Sequence, residues 1–173
     1  SGEKGNKNYL RPEFVKDIIE YVNGTVVECN TAYPGARNTT KKHTKLMEQH
    51  GWSTNFNVDI LDSEGEEYLE NPNGEIIQKN YVGTKMKNYD SLLVLSHFKG
   101  HPMGGYGGAL KQLSIGIASS KGKRYIHCAG KENGTYDDMF KTDHDNLLRS
   151  MADSAKTIVD YMPNIVYINV MCN

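Results

Sequence analysis

Cysteine is scarce in this chain of 173 residues: there are three, Cys29, Cys128 and Cys172. An odd, low count excludes the disulfide framework that staples small secreted domains, and it fits a reducing compartment, with the cytoplasm favoured. No CxxC or CxxH pair occurs, so a self-contained zinc knuckle or iron–sulfur site is not expected. A charge excess is also missing, with 20 basic residues against 21 acidic ones and a formal net charge of −1. A general nucleic-acid binder would carry a basic surplus, so no nucleic-acid partner is expected. No apolar run is long enough for a membrane span, and no signal-peptide pattern is visible.

What is present suffices for one domain. The hydrophobic fraction is 38%, and eleven tyrosines add apolar surface to it. The chain begins Ser1-Gly2 rather than with Met, and its last apolar run reaches almost to the final residue. The expectation is therefore a single α/β domain over residues 1–173, excised from a longer chain, with homodimerisation through an exposed edge strand left open.

Periodicity orders the elements. Arg11 to Val22 repeats apolar residues at helical spacing, with Pro12 in the first turn and Gly24 as a stop. Thr25 to Cys29 reads as a strand, Asn30 to Asn38 as a loop, and Thr39 or Thr40 to His50 as a helix. Val58 to Leu61 is a second strand. An acidic stretch with Asn71-Pro72-Asn73-Gly74 reads as a β-hairpin projecting from the domain around residues 64–80. Ser91 to Ser96, the most apolar run, reads as a central parallel strand. Gly100 to Gly108 is a glycine loop, and Ala109 to Ile117 a helix. Thr142 to Tyr161 is a long amphipathic helix ended by Pro163, and Ile165 to Val170 is the last strand. Alternating strands and helices predict an open, mostly parallel sheet flanked by helices, Rossmann-like in kind.

The chemistry concentrates between His97 and His127. The glycine loop leaves the C-terminal end of a buried strand, the edge where ligands bind in open α/β sheets. Gly105, Gly107 and Gly108 either serve a tight turn or bring backbone N–H groups to an anion at a helix start, where Lys111 adds a charge or a nucleophilic amine. The segment is not a Walker A loop, because Ala109-Leu110-Lys111-Gln112 follows Gly108. His97, His101 and His127 carry imidazoles suited either to ligating zinc, nickel or iron or to moving protons. His43, His50 and His144 sit in or beside amphipathic helices and read as surface or packing residues. Cys128 reads as a small buried thiol. On a second loop of the same edge, Asn30 is placed to orient a substrate hydroxyl. Arg37 is placed there to clamp a carboxylate or phosphate, or else is simply solvated.

These residues resemble a family. Gly5-Asn6 with Tyr9-Leu10-Arg11-Pro12, Asn30-Thr31 with Tyr33-Pro34-Gly35 and Arg37, and His97-Phe98-Lys99-Gly100-His101 with Gly105, Gly107-Gly108-Ala109 and Lys111 are similar to the domain of unknown function 362 family. Gly116, Ala118-Ser119, Gly122-Lys123 and His127 continue the match over almost the whole chain. Many members carry a ferredoxin-like segment with two iron–sulfur cysteine sets. This sequence has no such segment, so no cluster is expected within it. The resemblance implies no firm activity, and leaves a non-catalytic anion- or cofactor-binding module, or a redox partner of iron–sulfur proteins, beside an enzyme.

A more distant resemblance is to nickel-pincer lactate racemases. His101, Lys111 ten residues on and His127 sixteen further follow that pattern, and Gly116-Ile117-Ala118 echoes its proline-glycine-isoleucine-alanine stretch. It implies Lys111 as the cofactor tether, His127 as a nickel ligand and His101 as the acid/base, acting by hydride transfer on a 2-hydroxy acid. That family's second catalytic histidine has no matching position here.

Overall fold

A computed structural model describes residues 1–171. Helix α1 (Pro12–Tyr21) starts on a proline whose missing N–H is one of the unpaired donors of a first turn anyway. It buries Val15 and Ile19, one helical turn apart, and ends where the Gly24 N–H meets the Ile19 carbonyl at 3.1 Å. Strand β1 (Val26–Glu28) pairs in parallel with β2 (Val58–Ile60), Val26 opposite Val58. The crossover between them is α2 (Thr40–Gln49) and the short α3 (Trp52–Asn55), joined at Gly51, whose φ of +79° suits glycine. Val15, Ile19, Met47, Trp52 and Ile60 close this end into one apolar cluster.

The hairpin forms, but it does not project. Strands β3 (Glu66–Glu70) and β4 (Lys79–Gly83) pair antiparallel, and Asn80, Tyr81 and Val82 of β4 are all buried. Asn71-Pro72-Asn73-Gly74 makes the turn read from the sequence, with Gly74 N–H on the Asn71 carbonyl at 2.9 Å. The loop beyond it is pinned to the body, because the Asp153 carboxylate accepts the backbone N–H groups of Glu75, Ile76 and Ile77 at 3.1, 2.7 and 3.0 Å. The acidic outer strand masks this in the sequence: β3 is solvated, and only β4 is packed on both faces.

Strand β5 (Ser91–His97) pairs in parallel with β8 (Asn164–Val170), Ser91 opposite Asn164. The expected glycine loop is instead a small antiparallel ribbon, β6 (Lys99–His101) and β7 (Gly105–Gly107), turning at Gly105 with φ +70°. The expected helix after it is one α-turn, α4 (Ala109–Lys111), which widens into a π-helical turn over Gln112–Gly116. Helix α5 (Ser120–His127) follows, its first turn capped by Ser119 Oγ accepting the Gly122 N–H at 3.0 Å. Helix α6 (His144–Tyr161) is capped in the same way by Asp143 on the Asn146 N–H at 3.1 Å.

The fold is mixed α/β, yet among the described residues the strands form four separate pairs, two parallel and two antiparallel, rather than one open sheet. Strand β5 therefore has one partner and is not central. The free edges of β1 and β5 line a common cleft instead of bonding to each other. Below the cleft, α6 joins two apolar clusters, giving Leu147 and Met151 to one and Ala155 and Ile158 to the other. No helix among the described residues is long and apolar enough to cross a membrane.

Candidate functional site

The cleft has a volume of about 1700 Å³ and runs along the whole of β1 and β5, with α1, the start of β8, the loop after β1, the ribbon, α4 and α5 also contributing to its walls. It brings together most of the residues singled out above. His97 ends β5 and is half-buried at the wall. His101 ends β6, and its Nδ1 accepts the backbone N–H groups of Met103 and Gly104 at 3.2 and 3.1 Å. A nitrogen that accepts two donors carries no proton, so the neutral ring holds its proton on Nε2. Burial, then Lys111, Lys99 and His127, lower the pKa of His101, which favours that neutral form.

His127 has the opposite arrangement. Its Nδ1 lies 2.6 Å from the Lys123 carbonyl, one turn back on α5, and donates to it. That bond leaves Nε2 with its lone pair free, the state a base or a metal ligand needs. Burial lowers the His127 pKa, the bond to Lys123 works against this, and Lys111 and Lys123 add to the lowering.

Lys111 closes α4 and is half-buried. No carboxylate oxygen of the described residues lies within 4.0 Å of its ammonium. Burial lowers its pKa, and Lys99, Lys123 and Arg37 lower it further. Lys99 and Lys123 were not legible as site residues. Lys99 stands exposed on β6, whereas Lys123 is buried on α5 with its ammonium donating to the carbonyls of Gly116 and Ala118. Both line the cleft.

The β1 side is already internally bonded. Asn30 is buried, with Nδ2 donating to Thr40 Oγ1 and Asp62 Oδ1, each at 3.1 Å, and Oδ1 facing His43 Nδ1 at 3.3 Å. Its side chain therefore braces the loop. Arg37 is not simply solvated: Nε meets Glu3 at 3.3 Å, one terminal nitrogen donates to the Tyr33 hydroxyl at 2.9 Å, and another lies 4.0 Å from Glu28. His43, expected as a surface or packing residue, is fully buried and lies 2.9 Å from Glu28 through Nε2. Burial raises the Glu28 carboxyl, whereas the hydrogen bond and charge of His43 and the charge of Arg37 lower it. The sequence signal for His43 was its spacing, three and four residues before the buried Leu46 and Met47.

The glycines are committed to backbone geometry. Gly107 and Gly105 stand opposite Lys99 and His101 in the ribbon ladder. A Cβ on Gly108 would sit 3.2 Å from both Asn169 Oδ1 and Phe98. The Ala109 N–H, the first donor of α4, is taken by Asn169 Oδ1 at 3.1 Å. Cys128 is buried as expected, and its thiol pKa is raised by burial and then by Asp138.

Among the described residues, no three His, Cys, Asp or Glu side chains are grouped so as to hold a metal ion. The family model described as Domain of unknown function (DUF362) matches residues 1–173, the full length of the chain. The chain belongs to that family. Searches of curated proteins and of solved structures find no match. For this DUF362 chain, then, the chemistry of the cleft carries any functional argument: a cationic wall, one donor imidazole and one acceptor imidazole.

Proposed function

We propose that this DUF362 chain binds a small organic anion of the 2-hydroxy-acid type in the cleft and acts on it as a cofactor-dependent enzyme. The observation that carries this reading is Lys111, a half-buried ammonium with cations around it and no carboxylate within 4.0 Å among the described residues. Ammonium groups in such surroundings are ordinarily paired, so a ligand carboxylate is the natural complement. In this reading Lys111 holds the carboxylate and the Nε2–H of His101 donates to the neighbouring oxygen. The His127 Nε2 lone pair takes a proton or ligates a metal. The tautomers assign these roles: an imidazole accepting at Nδ1 is a donor at Nε2, and one donating at Nδ1 is an acceptor there.

The donor set bears on the metal as well. With no three-residue ligand group among the described residues, nickel, zinc or iron would find fewer than three protein donors here, with His127 and His97 as the candidate imidazoles. The residues therefore fit a metal that arrives within an organic cofactor bringing its own donors, and such a cofactor would supply hydride chemistry. The same observation favours a second reading, a non-catalytic module that holds the anion or a cofactor for an iron–sulfur redox partner.

Calorimetric titration with lactate tests the common element. Binding is expected in the native protein and a loss of at least about tenfold in affinity for Lys111→Gln, the size of one charge-assisted contact. An affinity that Lys111→Gln leaves unchanged, or no binding of any 2-hydroxy acid, sinks the reading. Turnover by the purified chain would separate the enzyme from the module.

A further inference from the structure

The cleft holds more positive charge than one carboxylate needs. Arg37, Lys99, Lys111 and Lys123 all line it, and they come from separate segments: the loop after β1, the ribbon, α4 and α5. Two carboxylates near them line the cleft too, Glu3 and Glu28. Both are already engaged, Glu3 by Arg37 at 3.3 Å and Glu28 by His43 at 2.9 Å with Arg37 at 4.0 Å. Among the described residues, no carboxylate lies within 4.0 Å of the ammonium groups of Lys99, Lys111 or Lys123.

We propose that the cleft selects a doubly charged organic anion over a singly charged one, with Lys99 and Lys123 as the additional specificity-determining cations beside Lys111 and Arg37. This deepens the anion-binding reading and rests on it. Lys111 meets the first anionic group. Lys99, on the exposed ribbon, is free to meet the second. Lys123 contributes through the field from beneath, since its ammonium already donates to the carbonyls of Gly116 and Ala118. Burial lowers the Lys123 pKa, against the raising effect of Cys29, Asp62 and Glu28, and the charge of a buried ammonium is poorly screened by salt. The mutual effects agree: Lys111 is depressed by burial, then by Lys99, Lys123 and Arg37, so a second negative charge relieves repulsion that one charge leaves in place.

Lactate and malate form a matched pair, differing by one carboxylate. Calorimetric titration at constant ionic strength near neutral pH should give malate at least about tenfold tighter binding than lactate, the size of one added charge-assisted contact. Lys99→Gln, a change on an exposed residue, should lower the malate-to-lactate ratio severalfold, as should Lys123→Met. If Lys123→Met does not fold by circular dichroism, Lys99→Gln decides. A native ratio near one, with lactate binding still dependent on Lys111, overturns the dianion inference and leaves the anion-binding reading standing. A ratio that Lys99→Gln leaves unchanged overturns the specificity role. Absence of binding by either acid overturns both readings.

Discussion

Replacing Lys111 with methionine should make the ligand-free protein more stable. The ammonium is half-buried, lacks an acidic neighbour within 4.0 Å among the described residues, and has Lys99, Lys123 and Arg37 around it. A lysine whose folded pKa is depressed binds its proton less well in the folded state than in the unfolded chain. It therefore subtracts stability at pH values below its folded pKa, and the penalty fades as pH rises toward the unfolded value. At neutral pH the full penalty applies. Methionine keeps the volume and removes the charge, so a gain of about 1 kcal/mol is expected, within the range for relieving charge conflicts at functional sites. For a domain of this size that corresponds to a rise in Tm of roughly 2–4 °C. The gain should shrink in high salt, which screens repulsion between partly exposed charges. Adding a bound anion at about one hundred times its Kd stabilises the native protein by about 2.7 kcal/mol, so the order of stability should reverse with ligand. Differential scanning calorimetry with and without malate, at low and high salt, reads all of this. A Lys111→Met variant that is less stable without ligand, by the same amount at every ionic strength, would refute the account of Lys111 as a strained, ligand-seeking charge.

Three further outcomes are expected. Burial lowers the pKa of His101 and His127 below the ordinary histidine value of 6.5, so both bind a proton less readily in the folded protein than in the unfolded chain and stability should fall as pH drops below about 6.5; a double His101→Gln/His127→Gln variant should flatten that part of the urea-unfolding profile, and an unchanged profile contradicts the assignment. Cys29, its thiol pushed up to about 12 by burial and hydrogen-bonded to the Ile117 carbonyl at 3.2 Å, should resist iodoacetamide at neutral pH until the protein is unfolded, as peptide mass mapping would show. Asp153→Ala removes the acceptor of three backbone N–H groups and should cost about 2–3 kcal/mol while sharply accelerating amide exchange at residues 75–77; exchange that stays slow there would show the loop is held by other means.

The parts of the fold that bury side chains periodically were readable. Val15 and Ile19 in α1, Leu46 and Met47 in α2, and Leu147, Met151, Ala155 and Ile158 in α6 mark their buried faces. The apolar runs of β5 and β8 announced strands. The ribbon β6–β7 was not readable, because a ladder with a glycine in every pair rests on backbone bonds and leaves no apolar alternation of side chains. Helix α5 was missed for a related reason: Ser120, Lys121, Lys123 and Arg124 disguise the buried Tyr125 and Ile126. His101, Lys111 and His127 all line the cleft. The burial of Lys123 and His43 was hidden, since it depends on carbonyls and a carboxylate that only the tertiary fold supplies. The separation of β1 from β5 was hidden too: strand propensity says nothing about which edges remain open.

Anion binding at Lys111, beside imidazoles of opposite tautomer, can be read from the rings themselves by a long-range proton–nitrogen NMR spectrum. His101 should be protonated on Nε2 and His127 on Nδ1 near neutral pH, with the Nε2 signals of both rings shifting on addition of malate in the native protein and not in Lys111→Gln. Identical tautomers in the two rings, or ring signals that malate leaves unmoved, would contradict it.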